Sequence, residues 1–120
     1  MNLIVHDENG IKITEVVSGE TVISSLQDAL DLMADISYRG MNKIIIREEQ
    51  IAADFFDLRS GLAGEILQKC VNYGIKLAIA GEFDKYESKS LKAFIIECNR
   101  GNQFFFVPDI TGAKARLVKV

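Results

Sequence analysis

Histidine occurs once in this chain, at His6, cysteine twice, at Cys70 and Cys98, and tryptophan not at all. So few nitrogen and sulfur ligands exclude a metal site built from histidines and cysteines. One proline and nine glycines in 120 residues exclude a collagen-like repeat or a Pro/Gly-rich disordered chain. Two cysteines are too few for a disulfide scaffold. Each sits on an apolar helical stripe and reads as a buried free thiol, so a reducing, cytoplasmic setting is expected. No apolar run approaches the roughly 18 residues that cross a bilayer. Met1–His6 also lacks the basic-then-apolar pattern of a signal peptide. Positive charge is short as well: 14 lysines and arginines against 17 acids, a net charge of −3. The basic residues are scattered and offer no face for a phosphate backbone. Lys114, Arg116 and Lys119 form the mildest cluster and read as a solvated face. No nucleic-acid partner, membrane partner, metal or cofactor is therefore expected.

What is present is enough for one globular domain over residues 1–120, with 48% hydrophobic and 26% charged residues. A chain of this length buries about two thirds of its unfolded surface. Residues 2–6 and 11–17 read as strands around Asn9-Gly10, a tight-hairpin signal, so the two are antiparallel. Leu26, Ala29, Leu30, Met33 and Ile36 recur at helical spacing. Ser24 and Gln27 have the form of a capping box, and Gly40 ends the segment. Residues 43–47 (KIIIR), 75–80 (IKLAIA) and 104–107 (FFFV) are short continuous apolar runs, as in strands covered on both faces. Between them lie a less regular stretch at 48–57, a helix at 60–73 and a helix from Ser88 or Ser90 to Gly101. The stripe of the 60–73 helix is Leu62, Ile66, Leu67, Cys70 and Val71. Pro108-Asp109 can start a last helix, against which stand Gly112 and the β-branched end LVKV. The fold class is α/β: a mixed sheet with an N-terminal antiparallel hairpin and central parallel strands covered by helices.

In an open parallel sheet, ligands bind beyond the carboxyl ends of the strands. Three loops reach that edge, from Glu48 to Ser60, from Gly81 to Ser90, and from Pro108. Glu48, Glu49, Asp54 and Asp57 fall in the first, and Glu82 and Asp84 in the second. Carboxylates converging from two loops can bind Mg²⁺ or act as an acid/base pair. Acids also gather near helix N-termini because the dipole favours them there. Lys85, Ser88 and Ser90 fit either an anion site at a helix start or plain N-capping. Gly61 and Gly64 lack the lysine and third glycine of a phosphate-binding loop. Ser60 has no nucleophile elbow around it. His6 is simplest as a surface or edge-strand residue.

Ser60-Gly61-Leu62 opening a helix after Asp57, within the order β-β-α-β-α-β-α-β, resembles the STAS domain of anti-sigma-factor antagonists. That resemblance implies a serine phosphorylated by a kinase partner, with the phosphate blocking a docking surface. Here Asp57 lies three residues before Ser60, farther than in that pattern. The segment from Glu48 to Leu58 has no counterpart in it. Over nearly the whole chain, the stretches LQDALDLMAD (26–35), DFFDLRSGLAGEILQ (54–68), KLAIAGEF (76–83) and YESKSLKAFIIECN (86–99) resemble a bacterial family, domain of unknown function 4180. That resemblance implies an acidic, alanine-rich final helix, and residues 110–120 depart from it.

Three readings follow. The first is a non-enzymatic regulatory or interaction module, with an unidentified protein partner meeting Asp57, Arg59, Ser60 and Gly61 and a switch at Ser60. The second is a small-ligand-binding or weakly catalytic domain using Glu48, Asp54, Glu82, Asp84, Lys85 and Ser88. It requires a pocket between the first two loops and a carboxyl pKa raised by burial. The third is a homo-oligomer formed through an edge strand or an exposed helix.

Overall fold

A computed structural model describes residues Met1–Val120. Five strands form one sheet in the order β1-β2-β3-β4-β5: β1 (Asn2–Glu8), β2 (Ile11–Val17), β3 (Lys43–Arg47), β4 (Lys76–Ala80) and β5 (Phe104–Val107). β1 and β2 are antiparallel and every other pairing is parallel. The hairpin turns at Asn9 and Gly10, both at positive φ (56° and 87°), as a two-residue loop requires.

The helices α1 (Leu26–Tyr38), α2 (Leu62–Tyr73) and α3 (Lys89–Arg100) each connect neighbouring parallel strands. With strands added in one direction, right-handed crossovers place all three helices on one face. Ile44, Ile46, Leu77, Ile79, Phe104 and Phe106 point into that larger core. Their strand neighbours Ile45, Ala78, Ala80, Phe105 and Val107 point the other way, under α4 (Ile110–Leu117). Both faces are buried, hence the unbroken apolar runs.

Several details differ from the sequence reading. The N-cap of α1 is Ser25, whose side chain accepts from the Asp28 N–H, while Asp28 accepts from the Ser24 N–H and hydroxyl. A short carboxylate reaches back where a capping box would use Gln27. Helix α2 begins at Leu62, not Ser60, because Gly61 is left-handed (φ 80°) and interrupts helical backbone. Val71 is half exposed, and Ala63 takes its place in the buried stripe. The tail does form a helix. Asp109 caps it by accepting from the Gly112 N–H at 2.7 Å, and Ala113 and Leu117 are buried beneath it.

The stretch after β3 is three consecutive 3₁₀ turns, at Glu48–Gln50, Ala53–Phe56 and Leu58–Ser60. Gln50 fixes the first: its amide donates to the carbonyls of Val16 (3.2 Å) and Ser18 (3.1 Å) and accepts from the Arg47 N–H. The main chains of Val22, Ile23 and Ala52 add bonds between the same two segments. Phe55 from the second turn stacks on Phe104 at 6.0 Å. These contacts fix where the first loop stands over the carboxyl edge.

Candidate functional site

At the start of α2, the third 3₁₀ turn is capped by Asp57. Its carboxylate accepts from the Arg59 N–H (3.2 Å) and from the guanidinium Nε (3.1 Å) and Nη2 (3.3 Å). Those bonds hold the Asp57 carboxyl below its ordinary range. The Arg59 side chain is 92% exposed despite that pairing. Ser60 is also exposed; its hydroxyl donates to the Asp54 carbonyl at 2.6 Å and accepts from the Leu62 N–H. Gly61 follows in the left-handed conformation. Asp57, Arg59, Ser60 and Gly61 thus form one continuous solvent-facing corner, and the Asp54 main chain braces it.

The carboxylates of the edge divide. Asp54, Glu82 and Asp84 are exposed. Glu48 is buried at the end of β3. Its Oε1 accepts from the Glu82 N–H at 3.1 Å, and its Oε2 accepts from the Tyr86 hydroxyl and lies 2.9 Å from Lys85 Nζ. Burial alone would raise its pKa, but the bonds from Tyr86, Lys85 and Glu82 outweigh that and hold it below the ordinary 4.5. Burial, with the facing Glu48 carboxylate, pushes the Tyr86 phenol well above its ordinary range. Gly81 lets this happen: a Cβ there would lie 2.5 Å from Glu48 Cβ. Tyr86 also stacks on Phe56 at 5.1 Å, which seals the second loop onto the second 3₁₀ turn. Glu48 is therefore a strut between two loops, with three donors on its oxygens, and it is not a base poised for proton transfer.

Ser88 serves as the N-cap of α3, accepting from the Leu91 N–H. A depression of about 450 Å³ lies between the second loop and Pro108, with Asp84, Lys85 and Phe106 in its wall and Ser88 outside it. No three of the histidine, cysteine, aspartate and glutamate side chains come together to hold a metal ion.

Residue-level reading missed a second polar cluster. Glu15, in the middle of β2, is buried, and its carboxylate meets His6 Nε2 and Arg47 Nη2, each at 2.8 Å. Burial pulls its pKa up, but the bonds from His6 and Arg47 pull it further down. The signal was the register: His6 faces Ile13, two residues from Glu15, and Glu15 lies beside Ile45, two residues from Arg47.

One mixed α/β sheet with helices on both faces defines the class. Within that class, residues 8–117 match the family described as domain of unknown function (DUF4180), and the chain belongs to it. No curated protein and no solved structure matches the chain. No helix is long and apolar enough to cross a membrane.

Proposed function

We propose that the chain is a regulatory protein-interaction module whose contact surface is the corner formed by Asp57, Arg59, Ser60 and Gly61, switched by phosphorylation of Ser60. The observation that carries this reading is the Ser60 hydroxyl itself. It is exposed, yet its proton is committed to the Asp54 carbonyl. A phosphate ester on that oxygen has no proton to give and sets a dianion against a carbonyl. The 3₁₀ turns from Ala53 to Ser60 must then open, and Arg59 is free to turn from Asp57 to the phosphate. One modification would alter shape and charge at the same corner. The resemblance to STAS domains, in element order and in the Ser-Gly-Leu segment, supports this reading.

The competing reading, a ligand or weak catalytic site among Glu48, Asp54, Glu82, Asp84, Lys85 and Ser88, needs a pocket between the first two loops. The depression beside the second loop instead takes in Glu82, Asp84 and Lys85 and opens towards Pro108, with no first-loop residue in its wall. Against it, Glu48 is engaged by three donors, and its pKa moves down where that chemistry needs it up.

The test is a quantitative pull-down from cell lysate with wild type, Ser60→Asp and Ser60→Ala, together with intact-mass analysis of the protein isolated from cells. We expect a phosphorylated fraction that vanishes in Ser60→Ala, and a partner retained by wild type and lost by Ser60→Asp. Identical partner sets, or no partner at all, would sink the switch. The ligand reading is indifferent to Ser60, so this experiment separates the two.

A further inference from the structure

We propose that the outer edge of β1 is the docking edge for a second copy of this chain, joining two five-stranded sheets into one antiparallel ten-stranded sheet about a twofold axis at Val5. The two edges of the sheet are finished differently. At β5, the side chain of Asn99 on α3 bonds the outer main chain of Phe106 twice, accepting from its N–H at 2.8 Å and donating to its carbonyl at 3.1 Å. That edge strand has only four residues, all buried. Strand β1 is seven residues long and runs without a bulge along β2. It carries neither proline nor lysine, and its main chain has no hydrogen bond outside the pairing with β2. Cover, shortness, bulges, proline and lysine keep an edge from pairing, and β1 has none of these. Its two charges, Asp7 and Glu8, sit together at its C-terminal end, each with a lysine of its own chain.

Ile4 and Val5 are also 46% and 47% exposed, one on each face of the sheet. The register selects the occupant. In a two-residue hairpin the residues flanking the turn exchange both main-chain bonds, and bonded pairs alternate from there. Glu8, His6 and Ile4 therefore bond inward to β2. Leu3, Val5 and Asp7 point their N–H and carbonyl groups outward. An antiparallel twofold at Val5 uses all three outward residues at once, pairing Val5 with itself and Leu3 with Asp7. On the faces it sets Ile4 opposite His6 and Asn2 opposite Glu8. No like charges meet, and the two exposed aliphatic side chains are covered. A second copy supplies all of this from its own β1. The axis is perpendicular to the sheet, so both three-helix layers lie on the same side.

Sedimentation equilibrium of the purified chain, at loadings from micromolar to submillimolar, tests the proposal. The mass of wild type should rise from 13.3 kDa towards twice that value. Val5→Lys and Val5→Pro should stay monomeric with an unchanged circular dichroism spectrum, since an outward N–H on an edge strand is dispensable to the monomer. If Val5→Pro disturbs folding, Val5→Lys carries the test alone. Register is read by oxidative crosslinking. Val5→Cys places two thiols on a bonded pair with Cα atoms about 5.5 Å apart, within disulfide reach. Asp7→Cys places them about 14 Å apart. Cys70 and Cys98 are buried and contribute no background. A crosslink in the first variant and none in the second is expected. A wild type that stays at 13.3 kDa throughout, a dimer indifferent to Val5→Lys, or a crosslink through Asp7→Cys in place of Val5→Cys would overturn the proposal.

Discussion

Glycine at position 81 and glutamate at position 48 need each other, and the need is steric before it is electrostatic. The chain leaves β4 at Gly81 directly under the Glu48 side chain, and a methyl group there would overlap Glu48 Cβ and Oε1. Cβ cannot swing away as the end of a flexible side chain can. Gly81→Ala should therefore push the Glu48 carboxylate off the Glu82 N–H and cost about 1–3 kcal/mol, the usual range for overpacking a filled site. Urea denaturation followed by circular dichroism measures it; an unchanged midpoint would mean that the strand end relaxes freely. At this scale the sequence was partly legible. Glu48 follows an apolar strand immediately, so its place on the carboxyl edge could be read. Its three donors could not, because Tyr86, Lys85 and the Glu82 N–H lie more than thirty residues away along the chain. Glu15 was harder still. An acid inside an apolar strand looks like an outward residue of an alternating pattern, and only the register with His6 and Arg47 shows that it is buried and paired.

Elements with a clear period were read correctly in kind. The three crossover helices show apolar spacing of three and four, and the parallel strands are unbroken apolar runs because both faces are covered. The 3₁₀ turns after β3 have no such period. They are three or four residues long and held by Gln50, by the second-turn aromatics and by Ser60, so a local pattern had nothing to reveal. The last helix failed to announce itself for a related reason. Gly112 lowers its helix propensity, yet a Cβ at that position would sit 3.2 Å from the capping Asp109 oxygen, and the cap and the burial of Leu117 outweigh propensity. The pairing of α3 with β5 is a further long-range device, because Asn99 acts on the sheet edge as another strand would. Asn99→Ala leaves the buried Phe106 N–H without a partner, which costs about 1–3 kcal/mol. Hydrogen exchange gives the sharper measurement. The Phe106 amide should lose protection in the variant while the amides of β3 and β4 keep theirs. Equal protection at Phe106 would show that α3 covers the edge by packing and not through this amide.

Across the whole molecule, two buried carboxylates tie together parts that the chain order keeps apart. Glu15 joins β1, β2 and β3 through His6 and Arg47, and Glu48 joins the loops after β3 and β4. Both are held below the ordinary 4.5 in the folded protein. Above that value both carboxylates are ionised in the folded and unfolded chain alike, and the stabilisation is complete. As pH falls below 4.5 the unfolded chain takes up protons first, so stability drops, and the contribution is gone once the folded carboxyls are protonated too. Asp7 and Asp57 are also shifted down, but by exposed ion pairs to which solvent leaves little weight. Asp28 is shifted down by hydrogen bonds from Ser24 and Ser25 at the start of α1, with no charged partner. The acid limb of the stability curve should therefore belong mainly to Glu15 and Glu48. The double variant Glu15→Gln, Glu48→Gln keeps the side-chain shapes and removes the two charges. At neutral pH its Tm should fall by about 10 °C, taking roughly 1–1.5 kcal/mol for each site and about 4 °C per kcal/mol in a domain of this size. From about pH 5 down to about pH 3 the gap should close, because wild type loses what the variant never had. Calorimetric melts across that range decide it. Parallel curves, with the 10 °C gap preserved in acid, would assign the acid sensitivity to other carboxylates and reduce these two to packing.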